Sequence, residues 1–120
     1  MPILNHMVEY TNDMIISETL KCMSDATRRS LLTQLSQQGP CRVTDLAAAY
    51  EMSLNAISKH IKVLERCDLI TRKTIGRTHW IEADLTRLQV VESWFKELKS
   101  IWEMRLDTLS DLLEVESKNE

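Results

Sequence analysis

Basic and short polar side chains recur at helical spacing in the segment SLNAISKHIKVLERCDL, which covers residues 53–69. At 100° per residue they gather on one face of a helix, and large apolar side chains gather on the opposite face. The basic face consists of Asn55, Lys59, Lys62 and Arg66, and the apolar face of Leu54, Ile57, Ile61 and Leu64. Such a basic face suits the floor of a DNA major groove and its flanking phosphates. The alternative is a solvated surface helix, which the segment alone would favour, because basic amphipathic helices are common.

The residues before this segment predict the element that would position it. Ser53 can accept a hydrogen bond from a backbone N–H one turn into the helix, so it is the expected N-cap. Upstream, apolar side chains repeat at helical spacing at Val43, Leu46, Ala47 and Tyr50. A short helix, a tight turn and a second, capped helix over residues 43–67 are typical of a helix-turn-helix, whose second helix enters the major groove.

The segment LITRKTIGRTHWIEA, which begins at Leu69, predicts a β-hairpin with strands at about 69–74 and 78–82. Thr, Ile and Trp enrich both arms, and Gly76 supplies the positive φ of a tight turn. The basic residues near its tip are Arg72, Lys73 and Arg77. An ordinary surface hairpin is the alternative. The position directly after a basic helix favours a wing over residues 69–82, which would contact the phosphate backbone or the minor groove.

The charge of the chain is distributed unevenly. Its 120 residues have a formal net charge of −3, yet residues 53–80 hold six Lys or Arg against two acidic residues. The rest of the chain therefore holds nine basic residues against sixteen acidic ones. A basic patch on an acidic body directs a polyanion to one face. The sequence thus predicts local binding of nucleic acid and argues against indiscriminate coating.

Length and composition predict a single, mainly helical domain over residues 1–120. No apolar run approaches the roughly 18 residues that span a bilayer, and no signal-peptide pattern precedes the domain, so we expect a cytoplasmic protein without membrane contact. The three cysteines, Cys22, Cys41 and Cys67, are widely spaced, which favours reduced thiols over a disulfide framework.

Two further helices and an arm complete the first half of the chain. Residues 1–12 have no clear period and are expected to form a loosely ordered arm, and a helical pattern begins at Asp13. A second helix over about 26–38 is indicated by Asp25 as its N-cap and by Gly39 with the following proline as its end.

A long helix is predicted from residue 84 to about 115, with more apolar surface than a small winged domain can cover. Because exposing several large apolar side chains is costly, we expect this helix to pair with its copy, together with the first helix. The predicted dimerisation residues are Ile16, Leu20, Val91, Trp94, Phe95, Leu98, Trp102, Leu106 and Leu109. The alternative is that both helices complete a monomeric core. The fold predicted is a winged helix-turn-helix of about five helices and a two-stranded hairpin, homodimeric through its first and last helices.

The chain resembles the ArsR family of bacterial winged-helix repressors from Leu20 to Leu113. The resemblance rests on LKCMSDATRRSLLTQL, on VTDLAAAYEMSLNAISKHIKVLERCDLI and on the Gly76–Arg77 wing, with one departure at Ala26, where the family often has Pro. It implies a homodimeric transcription repressor that binds double-stranded DNA at an inverted-repeat operator. Family DNA contacts correspond to Ser53, Asn55, Ser58, Lys59, His60, Arg72, Lys73 and Arg77, and the basic face adds Lys62.

The metal sites of many relatives do not carry over to this chain. In those relatives a Cys-x-Cys pair on the third helix, or Asp and His on the last helix, binds a metal that releases DNA. Here the third helix has Asp45, Leu46 and Ala47 without a thiol, and the last helix lacks His. Since zinc and softer metals require clustered Cys and His ligands, we expect neither metal nor cofactor. A thiol switch, a small-molecule inducer near Trp94 and Trp102, and repression without a ligand remain open.

Two other classes of function are alternatives to DNA binding. The first is a winged-helix module that binds another protein without nucleic acid, because the fold is also used in that way. The second is an enzyme, which the sequence disfavours: it contains no nucleophile paired with a base and no Gly-rich phosphate loop. We therefore expect a non-enzymatic transcription regulator.

Overall fold

The computed structural model describes residues 2–119 and the side chains of residues 11–117. It consists mainly of helices, with one small antiparallel sheet. In chain order the elements are α1 (Pro2–Cys22), α2 (Ala26–Gln38), β1 (Cys41–Arg42), α3 (Val43–Ala49), α4 (Leu54–Arg66), β2 (Ile70–Ile75), β3 (Thr78–Ala83) and α5 (Leu88–Asn119). The predicted winged helix-turn-helix is confirmed, with α3 and α4 as its two helices and β2 and β3 as its wing.

Local hydrogen bonds fix the helix boundaries that the sequence indicated. Asp25 accepts a hydrogen bond from the backbone N–H of Arg28 at 3.0 Å, and Ser53 accepts one from that of Ala56 at 3.2 Å. Each side chain pairs one of the N–H groups that a helix leaves unpaired in its first turn. Gly39, at φ 80°, ends α2 in a conformation that residues with a side chain rarely adopt.

The sheet has one strand more than the predicted hairpin. Its strand order is β1-β3-β2, and β1 pairs antiparallel with β3, placing Cys41 opposite Ile81. A two-residue strand is too short to show an alternating pattern, so β1 could not be predicted from the sequence. In the hairpin, Ile75 pairs with Thr78, and Gly76 at φ 63° occupies the first position of the turn.

The core lies between α2, α3, α4 and the inner face of the sheet. Its fully buried side chains include Leu31, Leu35, Leu46, Ile57, Ile61, Leu64, Leu69 and Ile81. The three from α4 occupy the apolar face that the sequence predicted, so packing turns the opposite face of α4 outward. This core fixes the orientation of α4 within a single chain.

The first and last helices pack against each other beside this core, to which α1 contributes Cys22. The sequence predicted a loosely ordered arm over residues 1–12, whereas in the structure α1 already begins at Pro2. Proline is favoured in the first turn of a helix, where its missing N–H would be unpaired in any case, so Pro2 can start α1. At the other end, α5 begins at Leu88, four residues after the predicted start. No described helix is long and apolar enough to cross a membrane.

Candidate nucleic-acid interface

Helix α4 presents its basic face to solvent. Asn55, Lys59, Lys62 and Arg66 are all exposed, whereas Ile57, Ile61 and Leu64 are buried beneath them. The turn before α4 includes Glu51 at φ 52°, and α3 packs against α4 to form the helix-turn-helix. Arg66 was not among the predicted contacts, although its place on the basic face could have suggested it.

Four predicted DNA contacts are cations whose charge is not neutralised within the chain. Lys59, Lys62, Lys73 and Arg77 are exposed and make no ion pair with a carboxylate of residues 11–117. A cation that already has a carboxylate partner must give it up to bind a phosphate. These side chains require no such exchange, so they are available to a polyanion.

Arg72 is placed differently from the other wing cations. It lies opposite Ile81, on the face of the sheet that packs toward the core, and its guanidinium donates to Glu65 Oε1 at 2.6 and 3.2 Å. The alternation of side chains along β2 explains the difference, because Lys73 points to the other face. The pair joins the wing to α4, so Arg72 contributes to the site mainly by holding these two elements together.

His60 and Ser58 lie at the margin of the basic face and are half-buried. His60 Nδ1 is 3.8 Å from the Asp25 carboxylate at the start of α2. The backbone N–H of Arg28 holds the pKa of Asp25 below its usual value, and the charges of Arg28 and His60 act in the same direction. The structure thus aims His60 at a neighbouring helix, whereas Ser53 and Asn55 at the other end of α4 are exposed.

The wing carries an aromatic residue among basic ones on its outer face. Trp80 lies directly opposite Lys73 on β2 and Arg42 on β1, and residues that pair in this way share a face of the sheet. Arg42 is bound to Asp45 at 2.8 Å, which leaves Lys73 as the cation of this group with no ion pair among residues 11–117. The alternation of Trp80 with the buried Ile81 was a signal for this placement.

Most of the predicted dimerisation residues are exposed in the single chain. They are Leu20 on α1 and, on α5, Trp94, Phe95, Leu98, Trp102, Leu106 and Leu109, with Trp102 60% exposed. Ile16 is half-buried. Val91 departs from the prediction: it is only 7% exposed, so its own chain already covers it. Val91 lies in the first turn of α5, close to the core, where the apolar face of the helix packs internally.

The cysteines are free thiols, and no three His, Cys, Asp or Glu side chains among the described residues are placed to hold a metal ion. Burial raises the pKa of Cys22 to about 12, with a further rise from the adjacent thiol of Cys67. Cys67 Sγ also donates to the backbone carbonyl of Glu18 at 3.6 Å. Burial raises the pKa of Cys41 as well, so Cys22 and Cys41 remain protonated at neutral pH.

Comparisons with known proteins agree on one family. The model of the family described as "Bacterial regulatory protein, arsR family" matches residues 25–72. The arsenical resistance operon repressor of Bacillus subtilis is 32% identical over 73 residues, which span 61% of this chain and 68% of that protein. The HTH-type transcriptional regulator NmtR of Mycobacterium tuberculosis is 36% identical over 63 residues, which span 52% of each chain. This chain therefore covers about half of the length of NmtR.

Solved structures give the same result. The crystal structure of an ArsR family transcriptional regulator has 31% sequence identity and a TM-score of 0.69, over 76% of this chain and 93% of that one. An ArsR-like transcriptional regulator from Rhodococcus sp. RHA1 has a TM-score of 0.72 over 82% of this chain and 92% of its own. At 24% identity, that second likeness shows the fold alone.

Proposed function

This chain belongs to the arsR family of bacterial regulatory proteins, and from this membership we propose that it represses transcription as a homodimer bound to an inverted-repeat operator. Its relatives are named as transcriptional regulators and as an operon repressor, which supports DNA binding and not catalysis as the function of this chain. The helix-turn-helix of the proposal covers residues 43–67 and the wing residues 69–82. The B. subtilis relative is named as a repressor, which supports repression as the direction of control.

One observation carries the proposed mode of binding: an exposed basic face on a capped helix, with a basic wing directly after it. Since α4 is held by a core of its own chain, Asn55 and Lys59 can enter the major groove without rearrangement of the domain. Asparagine reads adenine through paired hydrogen bonds and lysine donates to guanine, so both can select bases. Lys73 and Arg77 on the wing would bind phosphates, which orients the domain without reading sequence.

The proposed dimer is supported by the exposed apolar side chains on α5 from Leu98 onward. From Leu98 to Leu113 the large apolar side chains that share one face of α5 are about half-exposed or more: Leu98, Ile101, Trp102, Leu106, Leu109, Leu112 and Leu113. Full burial of one such side chain stabilises a protein by about 1.5–3 kcal/mol, so this surface favours association. A second copy supplies the same apolar face, and a two-fold axis would set two α4 helices about 34–36 Å apart, as an inverted repeat requires.

The test is a titration of the protein with labelled DNA from the region upstream of its own gene, followed by fluorescence anisotropy at several salt concentrations. We expect Lys59→Ala to weaken binding to the operator by roughly 10-fold and to reduce the preference over unrelated DNA. Arg77→Ala should weaken binding to all sequences and lower the salt slope by about one unit, because it removes one phosphate contact.

Lys96→Ala is the matched control, since it removes one positive charge from α5, where Lys96 pairs with Glu92 at 3.3 Å. It should bind the operator as the parent protein does. The assignment of the interface would be wrong if Lys59→Ala and Arg77→Ala also bound like the parent. If the parent protein bound upstream and unrelated DNA equally, the proposal of a specific operator in the upstream region would be wrong.

A further inference from the structure

The C-terminal end of α4 meets both dimerisation helices at a single place. After Arg66 the chain turns through Asp68 at φ 56°, and the backbone N–H of Leu69 donates to the carbonyl of Leu64 at 2.9 Å. This closure normally uses glycine, because its left-handed residue is unfavourable for side chains. Asp68 tolerates that conformation better than most residues, but glycine would tolerate it best. Backbone conformation alone would favour glycine at position 68, so the side chain of Asp68 is expected to make an interaction of its own.

The partner of the Asp68 side chain is Arg87. It precedes α5 directly, and its Nη2 atom lies 2.8 Å from Asp68 Oδ2, while its Nη1 atom lies 3.9 Å from Glu18 Oε2 on α1. One guanidinium thus connects the end of α4, the first helix and the start of the last helix. Glycine at position 68 would satisfy the backbone but would remove this connection.

Two further contacts hold the same junction. The Cys67 thiol donates to the backbone carbonyl of Glu18 at 3.6 Å, and the backbone N–H of Asp84 donates to the carbonyl of Leu69 at 2.8 Å. The first ties the residue after α4 to α1, and the second ties the next residues to the segment before α5. A shift of α1 or α5 relative to the core would therefore act directly on the end of α4.

We propose that Arg87 is a positioning residue for the DNA-contacting helix: through Asp68 and Glu18 it sets the orientation of α4 relative to α1 and α5. The inference rests on the proposed function, because it assumes that α4 reads the operator and that α1 and α5 form the dimer. In that assembly the junction determines how the two α4 helices face successive major grooves. It makes affinity for the operator depend on the arrangement of the dimerisation helices.

A purely stabilising role would give a different signature. The three side chains of the junction are partly exposed, and ion pairs of this kind contribute little to folding. The apolar core beneath α4 does not include them. Loss of Arg87 should therefore leave the domain folded while it changes specific binding.

The test compares Arg87→Gln with Asp68→Asn in the full chain, using operator DNA and unrelated DNA of equal length. The first variant removes a positive charge and the second removes a negative one, so simple electrostatics predicts opposite changes in DNA affinity. Positioning predicts the same change. We expect each variant to bind the operator about fivefold more weakly and unrelated DNA within about twofold of the parent, with an unchanged oligomeric state.

The double variant Arg87→Gln/Asp68→Asn should lose no more than Arg87→Gln alone, because the pair that Asp68→Asn breaks is already absent in Arg87→Gln. Arg87→Lys should lose less, since lysine can still reach one carboxylate. Lys96→Gln, which removes a charge from an exposed pair on α5, is the control and should bind like the parent.

Three outcomes would overturn the inference: unchanged operator affinity in both variants, opposite changes in the two variants, or equal losses on operator and unrelated DNA. If the parent itself shows no operator preference, the proposed function fails as well, and that result is seen before any variant is measured. If Arg87→Gln does not fold, melting detects it and Asp68→Asn, whose backbone requirement asparagine meets, decides the question.

Discussion

Large apolar side chains are buried in the winged part of the molecule, whereas those on α5 from Leu98 onward are exposed. Leu64 on α4 is fully buried, whereas Trp102 on α5 is 60% exposed. Both helices have an apolar face of similar character, and only the first meets a complementary face in its own chain. The surface proposed to contact DNA is therefore organised within one chain, whereas the apolar face of α5 is left uncovered by the described residues, as the proposed dimer requires.

The largest expected effect comes from the core beneath α4. Leu64→Ala should lower the free energy of unfolding by about 2–5 kcal/mol, because it removes buried apolar atoms and leaves a cavity. Urea denaturation monitored by circular dichroism measures the loss. A loss below about 1 kcal/mol would mean that α4 is not held by this core, and the contrast between the two regions would disappear.

The second effect concerns α5 and should appear as a change of association. Trp102→Glu places a charge in the middle of the apolar face and should raise the dimer dissociation constant on the order of 100-fold. Sedimentation velocity over a range of concentrations measures it. Met104→Glu is the control, because Met104 is 66% exposed and lies about 200° around α5 from Trp102, on the opposite side of the helix. Equal weakening by both variants, or none, would contradict a specific pairing of this face.

The smallest change, measured per pH unit, is expected at the contact between the two regions, where Cys22 is buried beside Cys67. The pKa of the folded thiol is about 12, above its ordinary value of 9.0. Below pH 9 the thiol is protonated in both states and gives no pH dependence. Between pH 9 and 12 only the unfolded chain loses the proton, so stability should fall as pH rises, by at most about 1.4 kcal/mol per pH unit.

Cys22→Ala removes this thiol together with its contact to Cys67, so the difference between parent and variant measures the contribution of Cys22. Denaturation at pH 8, 9, 10 and 11 under reducing conditions should show a steeper decline for the parent than for the variant. Parallel curves would mean that the Cys22 thiol ionises in the folded protein as easily as in the unfolded one. Cys22 would then not be shielded from solvent at the end of α1.

Local patterns were sufficient to predict the elements that form the proposed DNA-contacting surface. Ser53 and Asp25 were identified as N-caps because capping involves only a side chain and N–H groups within one turn. The basic face of α4 followed from helical periodicity, and the hairpin turn followed from Gly76. The start of α1 was missed because proline near an N-terminus was interpreted as an interruption.

Contacts between residues that are distant in sequence could not be predicted from these local patterns. Arg72 was predicted as a DNA-contacting residue of the wing, and no local pattern indicated its pairing with Glu65, seven residues earlier, which arises because β2 folds back over α4. In the same way His60 approaches Asp25 from a different helix. A charged residue has no periodic signature of its partner, so its role depends on which elements the fold brings together.

The sequence by itself determined the helices, the caps, the wing and the position of positive charge, because each depends on interactions within a few residues of the chain. Only the tertiary structure decided which cations remain unpaired, that Val91 is covered by its own chain, and that Arg87 joins Asp68 to Glu18. These features depend on the distance between elements that are remote in sequence. That distance is set by the packing of the core as a whole and by no single segment.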